Sequence, residues 1–252
     1  VGITCQKVGE AEIMAAAGID DIFIPYNILG PTKLERLMNL ARRKTISVTA
    51  DSEFTVRGYA EATQAAQLTL PVLVEFDAGT GRCGVQTPQE AADLARLIAH
   101  APGLHFGGLM TYPNLDAADA FIVETKKLLA VDGITVDVVS GGGTPVMWEA
   151  HTHPEITEHR AGTYVYGDRG MVRSGAMTWD QCAMHVLTTV VSRPTPDRAI
   201  LDGGSKTFTP DTFGFEDFGR FVDYPDARLH KFSEEHGFVD LSASDQKPTI
   251  GE

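Results

Sequence analysis

The segment Ser140-Gly141-Gly142-Gly143-Thr144-Pro145 carries the most chemical information in the chain. It follows an apolar run and precedes a short helical pattern. Three successive glycines leave backbone N–H groups bare, and a helix start adds partial positive charge, so the segment suits a phosphate. A tight glycine turn without a ligand is the other reading of the same residues. The segment is not a Walker loop, because the terminal lysine is absent, and its spacing is wrong for the dinucleotide GxGxxG. Arg160-Ala161-Gly162-Thr163 ends the next apolar run. Gly162 offers another bare N–H near the same phosphate, and Arg160 is placed either to reach into a barrel mouth or to form a structural salt bridge on the barrel rim. There is no adjacent Ser–His–Asp set and no HExxH.

The elements that must hold these residues alternate. Gly2–Cys5, Asp21–Ile24, Ile46–Ala50, Val72–Phe76, His105–Met110, Thr135–Ser140 and Glu155–Arg160 read as strands. Gly9–Ala17, Pro31–Lys44, Ser52 to about Leu68, Thr87–His100, Leu115–Leu129 and a short Pro145–Ala150 read as helices between them. Thr87, Pro88 and Glu90 have the order of a capping box with proline at the first helical position. The alternation predicts an α/β fold with parallel strands, namely a (β/α)8 TIM-type barrel lacking its first βα unit; an open doubly wound sheet is the alternative. In such a barrel the functional groups sit at the C-terminal strand ends. Those positions are Cys5–Lys7, Pro25–Asn27, Asp51, Asp77–Gly79 with Arg82, Thr111–Tyr112, Ser140–Thr144 and Arg160–Thr163.

After Gly170 the texture becomes β-rich, with Ala183–Ser192 and Arg198–Leu201 as strands around the turn-like PTPD. The expected domains are 1–170, a barrel, and 171–252, a β-rich domain. The first strand begins at residue 2 and no closing element precedes Glu252, so both domains are expected to be truncated. The 252 residues are 43% hydrophobic and 22% charged, which excludes a disordered chain. A net charge of −13 gives no global attraction for nucleic acid or anionic membrane. No apolar run is long enough to span a bilayer. Three scattered cysteines without CxxC read as reduced thiols of a cytoplasmic protein.

Asp77-Ala78-Gly79-Thr80-Gly81-Arg82-Cys83-Gly84-Val85, Gly108–Tyr112, Ser140–Pro145 and Arg160–Thr163 together resemble the fold-type III pyridoxal-phosphate enzymes, the alanine-racemase-like barrels. Ile3–Glu12, Glu158–Tyr164 and Ser233–Gly237 bring the chain nearest to the D-threonine aldolase and D-serine dehydratase family. The resemblance runs in order along essentially the whole chain. It implies that Arg82 hydrogen-bonds the cofactor's 3′-oxygen and that Tyr112 lies against the pyridine face. It also implies a phosphate cradle of Ser140, Gly141, Gly142 and Thr144 completed by Gly162 and Thr163, with Arg160 facing the pyridine nitrogen. A guanidinium there keeps that nitrogen unprotonated and weakens the electron sink.

The same resemblance implies a Schiff-base lysine upstream of Val1 and divalent-metal ligands (for Mn, Zn or Mg) beyond Glu252, so the chain by itself is expected to be inactive. The implied activity is a pyridoxal-phosphate lyase that cleaves D-3-hydroxy amino acids, D-threonine giving glycine and acetaldehyde. D-serine dehydratase chemistry, a non-catalytic pyridoxal-phosphate barrel and another phosphate-binding barrel are the alternatives. The implied partners are a small D-amino acid substrate and a second copy in a homodimer. Lys7, expected to point outward, and Lys206 are not expected to form the Schiff base, and His151 and His153 are read as solvated. Lys206 and His236 are placed as candidates for the rim of the site.

Overall fold

The computed structural model describes residues 2–113 and 116–252, and the chain divides into two compact units, Val1–Gly162 and Thr163–Glu252. In the first unit seven strands alternate with helices: β1 (Ile3–Thr4), α1 (Val8–Ala16), β2 (Asp21–Ile24), α2 (Pro31–Ala41), β3 (Thr45–Ala50), α3 (Glu53–Ala66), β4 (Leu70–Glu75), α4 (Pro88–His100), β5 (Leu104–Met110), α5 (Asp116–Ala130), β6 (Val139–Gly141) and β7 (Glu158–His159). The strands form one parallel sheet in simple chain order. This is the α/β alternation expected from the sequence. The first residue of the predicted Leu115–Leu129 helix lies outside the described residues.

The helix ends follow from local chemistry. The Thr87 hydroxyl accepts from the Glu90 N–H at 3.2 Å, and the Glu90 carboxylate accepts from the Thr87 N–H at 3.0 Å. Together they satisfy two otherwise orphaned donors at the start of α4. Ser52 caps α3 with a single bond, accepting from the Thr55 N–H. Replacing Thr87 with alanine is expected to lower the unfolding free energy by about 1 kcal/mol. Urea denaturation of the variant checks this, and an unchanged midpoint would remove the cap from the account.

Two elements differ from those expected. The strand read as Thr135–Ser140 pairs only from Val139. Its neighbour β5 carries a bulge at Gly107–Gly108, where Phe106 pairs with Val72 but Gly108 with Leu73. Gly108 has φ +128°, and a Cβ there would run into the Val138 carbonyl. The short helix read as Pro145–Ala150 is a pair of single 3-10 turns, Thr144–Val146 and Ala150–Thr152.

The sheet has two different faces. Ile22, Val48, Val72, Val74 and Leu109 pack against the helices in the main core. Phe23, Leu73 and Met110 form a separate small cluster on the opposite face. Register places Thr49 beside Leu73, Glu75 and Ser140 beside Met110, and Glu158 beside Ser140. Aligned neighbours in a sheet share a face. The face away from the helices is therefore apolar in the middle and polar toward the C-terminal strand ends.

The second unit begins with the 3-10 turn Thr163–Val165 and α6 (Arg169–Arg173). β8 (Val190–Thr195), β9 (Arg198–Leu201), β10 (Arg228–Phe232) and β11 (Gly237–Asp240) form an antiparallel sheet in the order β10-β11-β9-β8. Val190, Leu201, Leu229, Val239 and Leu241 form its core, with Phe208, Phe218 and Phe232 against it. The strand expected over Ala183–Ser192 starts only at Val190, because its partner β9 ends at Leu201. Beyond that point the Asp202 carboxylate takes over, accepting from the Thr188 hydroxyl and the Thr189 N–H. Among the described residues no helix is long and apolar enough to cross a membrane.

Candidate functional site

The polar end of the sheet gathers two arginines. Arg160 follows β7, and its N–H donates to the Gly141 carbonyl at 3.1 Å. Its guanidinium donates to Ser140 Oγ at 2.6 Å and to the Thr111 carbonyl at 2.8 Å. Ser140 Oγ in turn donates to Glu158 Oε1. Ser140 is thus a bridge between the arginine and a carboxylate, and this hydroxyl is engaged. Burial pushes the Arg160 guanidinium down to about 10, with Glu158 and Glu75 opposing the shift.

The glycine run lies beside this bridge. Gly141, Gly142, Gly143 and Thr144 are all buried. Gly142 has φ +74°, and a Cβ there would collide with the His159 ring. A Cβ at Gly143 would stand 3.0 Å from the Tyr112 ring. Among the described backbone hydrogen bonds, none uses the N–H of Gly142 or Gly143. Buried donors of this kind nearly always have a partner, so two together mark a place for an acceptor. Thr144 opens the 3-10 turn that follows.

Arg82 and Tyr112 come together as well, with the guanidinium 4.9 Å from the centre of the Tyr112 ring. Arg82 rides on a loop built by Asp77, whose carboxylate accepts from the N–H groups of Gly79, Thr80 and Gly81. Burial works against ionisation of Asp77, but these donors hold its carboxyl below the ordinary value. Gly84 closes the loop at φ +108°, where a Cβ would meet the Phe76 backbone at 2.5 Å. Asp51 accepts from the Gly84 N–H at 3.2 Å.

The remaining expected positions divide. Gly162 ends the first unit, and no neighbour stands within 4 Å of where its Cβ would be. Thr163 belongs to the second unit, where its carbonyl accepts from Tyr166 and Gly167. Lys7 is exposed and near Glu10, as expected for an outward side chain. Lys206 pairs with Glu234 and Glu235, and His236 sits exposed between β10 and β11. His153 bonds Asp119 at 3.0 Å, and among the described residues no three His, Cys, Asp or Glu side chains are grouped to hold a metal ion.

Sequence reading missed one group, Glu75. It is the sole carboxylate in the apolar run Val72–Phe76, and that isolation was the available signal. Glu75 is 4% exposed and lies 3.8 Å from Arg82. Burial pushes its carboxyl up to about 7, against the pull of Arg82, and Asp51 adds to the rise.

The first unit is thus a parallel β/α domain with bare glycine N–H groups and two arginines at its C-terminal strand ends. The chain belongs to the alanine racemase N-terminal domain family, which residues 1–170 match, and residues 183–252 match a putative serine dehydratase domain. It is similar to a D-threonine aldolase of Arthrobacter sp., with 35% identity over 99% of this chain and 69% of the relative. Its structure resembles that of D-threonine aldolase from Filomicrobium marinum, with TM-score 0.84 and 31% identity over 100% of this chain and 71% of that one. It also resembles D-threo-3-hydroxyaspartate dehydratase from Delftia sp. HT23, with TM-score 0.82 and 25% identity over 100% and 75%. The family and fold are those expected from the sequence.

Proposed function

We propose that this protein is a pyridoxal-phosphate lyase of the D-threonine aldolase type, acting on D-3-hydroxy amino acids. The observation that carries the reading is the juxtaposition of the Gly142–Gly143 N–H groups, the Arg82–Tyr112 pair and Arg160 at one end of the sheet. The N–H groups of these buried glycines, without a partner among the described hydrogen bonds, fit a phosphate. The Tyr112 ring fits a flat heterocycle, and the guanidinium of Arg82 fits a phenolate oxygen.

In this reading residues 1–170 bind the cofactor and residues 171–252 form the β-rich domain. Gly141, Gly142 and Thr144 hold the phosphate, with Gly162 adding a donor. Ser140 contributes through Arg160, which it orients toward the pyridine nitrogen. Arg160 cannot give up a proton, so it keeps that nitrogen unprotonated. Bound pyridoxal phosphate supplies an electron sink for a carbanion at the substrate's Cα. A divalent metal would acidify the 3-hydroxyl in this chemistry, but the described residues do not form a site for one. The net charge of −13 supports a small-molecule substrate over nucleic acid. Three free cysteines support a cytoplasmic setting, and the same reading takes the protein to be a homodimer. The dehydratase alternative is favoured by the match of residues 183–252.

Purified full-length protein, carrying the expected Schiff-base lysine and metal ligands, incubated with D-threonine and D-serine separates these readings. Acetaldehyde and glycine from D-threonine are the expected products. Pyruvate from D-serine alone would establish the dehydratase, and no cofactor absorbance near the visible edge would overturn both. Arg82→Ala is expected to weaken cofactor binding or turnover about tenfold or more, from the loss of a charged hydrogen bond of about 1.5–3 kcal/mol. Wild-type values in that variant would remove Arg82 from the site.

A further inference from the structure

We infer that Glu75 is the positioning residue that aims Arg82 at the bound cofactor, an inference that rests on the proposed cofactor site. Apart from the neighbouring Cys83 thiol, Arg82 has little else to fix it. Its side chain is 54% exposed on the 77–84 loop, and it touches the Tyr112 ring and Glu75. A free arginine samples many rotamers, and a bidentate or stacked contact needs one of them. Glu75 is rigid by contrast. It closes β4 in register with Met110, and its backbone carbonyl accepts from the Val85 N–H at the far end of the loop. One residue therefore anchors the loop through its backbone and faces the arginine through its side chain.

The carboxylate has no competing task. Among the described residues it accepts no hydrogen bond, and its ion contact is with Arg82 at 3.8 Å. A carboxylate kept for structure alone would be satisfied by N–H donors, as Asp77 is on the same loop. The other charged groups around Glu75 are Asp51 after β3, Asp77 on the loop and Arg160 after β7. Arg160 is already held by Ser140 and Thr111, which leaves Arg82 as the group that Glu75 can direct.

The test is a double-mutant cycle read by two measurements. Titration of the full-length apo-protein with pyridoxal 5′-phosphate gives the cofactor affinity of wild type, Glu75→Gln, Arg82→Ala and the double variant. The expected result is an approximately tenfold loss in Glu75→Gln and no further loss when Glu75→Gln is added to Arg82→Ala. Glu75→Ala, which removes the shape as well, is expected to behave like Glu75→Gln. Side-chain NMR of Arg82 Nε–Hε provides the second measurement and needs no cofactor. It should report an ordered guanidinium in wild type and a mobile one in Glu75→Gln. An additive loss in the double variant, unchanged affinity in Glu75→Gln, or an Arg82 signal equally ordered without the carboxylate would each overturn the inference. Failure of the wild type to bind pyridoxal phosphate would instead overturn the cofactor reading, and the NMR result would still decide whether Glu75 orders Arg82.

Discussion

Arg160→Ala is expected to lower the unfolding free energy by about 3–5 kcal/mol and to abolish measurable cofactor binding. The guanidinium is the hub of the polar sheet end. It joins Ser140 Oγ at 2.6 Å and the Thr111 carbonyl at 2.8 Å, and lies 3.6 Å from Met110 Sδ. Truncation leaves the Thr111 carbonyl without that donor, empties the space beside Met110, and removes a positive charge near buried Glu75. Arg160→Lys restores charge but not the fork, because a lysine presents one ammonium point and not two parallel N–H edges. It should therefore recover stability better than cofactor affinity. Urea titration and cofactor titration of the three proteins check this. A wild-type midpoint for Arg160→Ala would show that the bridge through Ser140 contributes nothing.

The second large effect is a dependence on pH. In the unfolded chain Glu75 titrates near the ordinary 4.5, but in the folded apo-protein burial raises it to about 7. Between those values the folded state holds a proton that the unfolded state has released. Stability therefore falls as pH rises through this window, by about 3 kcal/mol in all, and is level above it. Glu75→Gln removes the titration. The variant should match wild type near pH 4 and exceed it by about 3 kcal/mol at pH 8. Chemical denaturation at a series of pH values checks the sign. A difference between the two proteins that does not change with pH would mean that Glu75 titrates normally. A carboxylate that costs stability where it is ionised is the kind of residue retained for the site and not for the fold.

The sequence exposed those features whose cause is local. The capping box at Thr87 and Glu90 requires only residues three apart, and it is present in the structure. The glycine run at 141–143 was legible for the same reason, since bare N–H groups follow from composition alone. Features that depend on a partner strand were not legible. Ala183–Thr189 alternates like a strand, yet nothing in it reveals that β9 has already ended. Arg228–Phe232 is hidden by Arg228 and Lys231, charged residues accommodated at exposed positions of the strand. The family resemblance places Ser140 in the phosphate cradle, beside the glycines. Its engagement with Glu158 and Arg160 depends on the parallel register of β6 and β7, which no spacing along the chain encodes.

The strand orders of the two sheets also imply how each unit can assemble in time. In the parallel sheet every strand pairs with the one just before it, so each new pairing closes a single β/α connection and the sheet can grow by sequential addition. The second sheet cannot grow that way. Its two hairpins, β8–β9 and β10–β11, form locally, but the sheet is complete only when β11 meets β9 across the segment 202–227. That closure is the non-local event and is the natural place for a kinetic bottleneck in this unit. It is also forgiving of length, since doubling a flexible connection adds only about 0.6 kcal/mol of closure entropy. Apart from the aromatic side chains that pack on the sheet, segment 202–227 is the part of the second unit best able to accept inserted residues during evolutionary divergence.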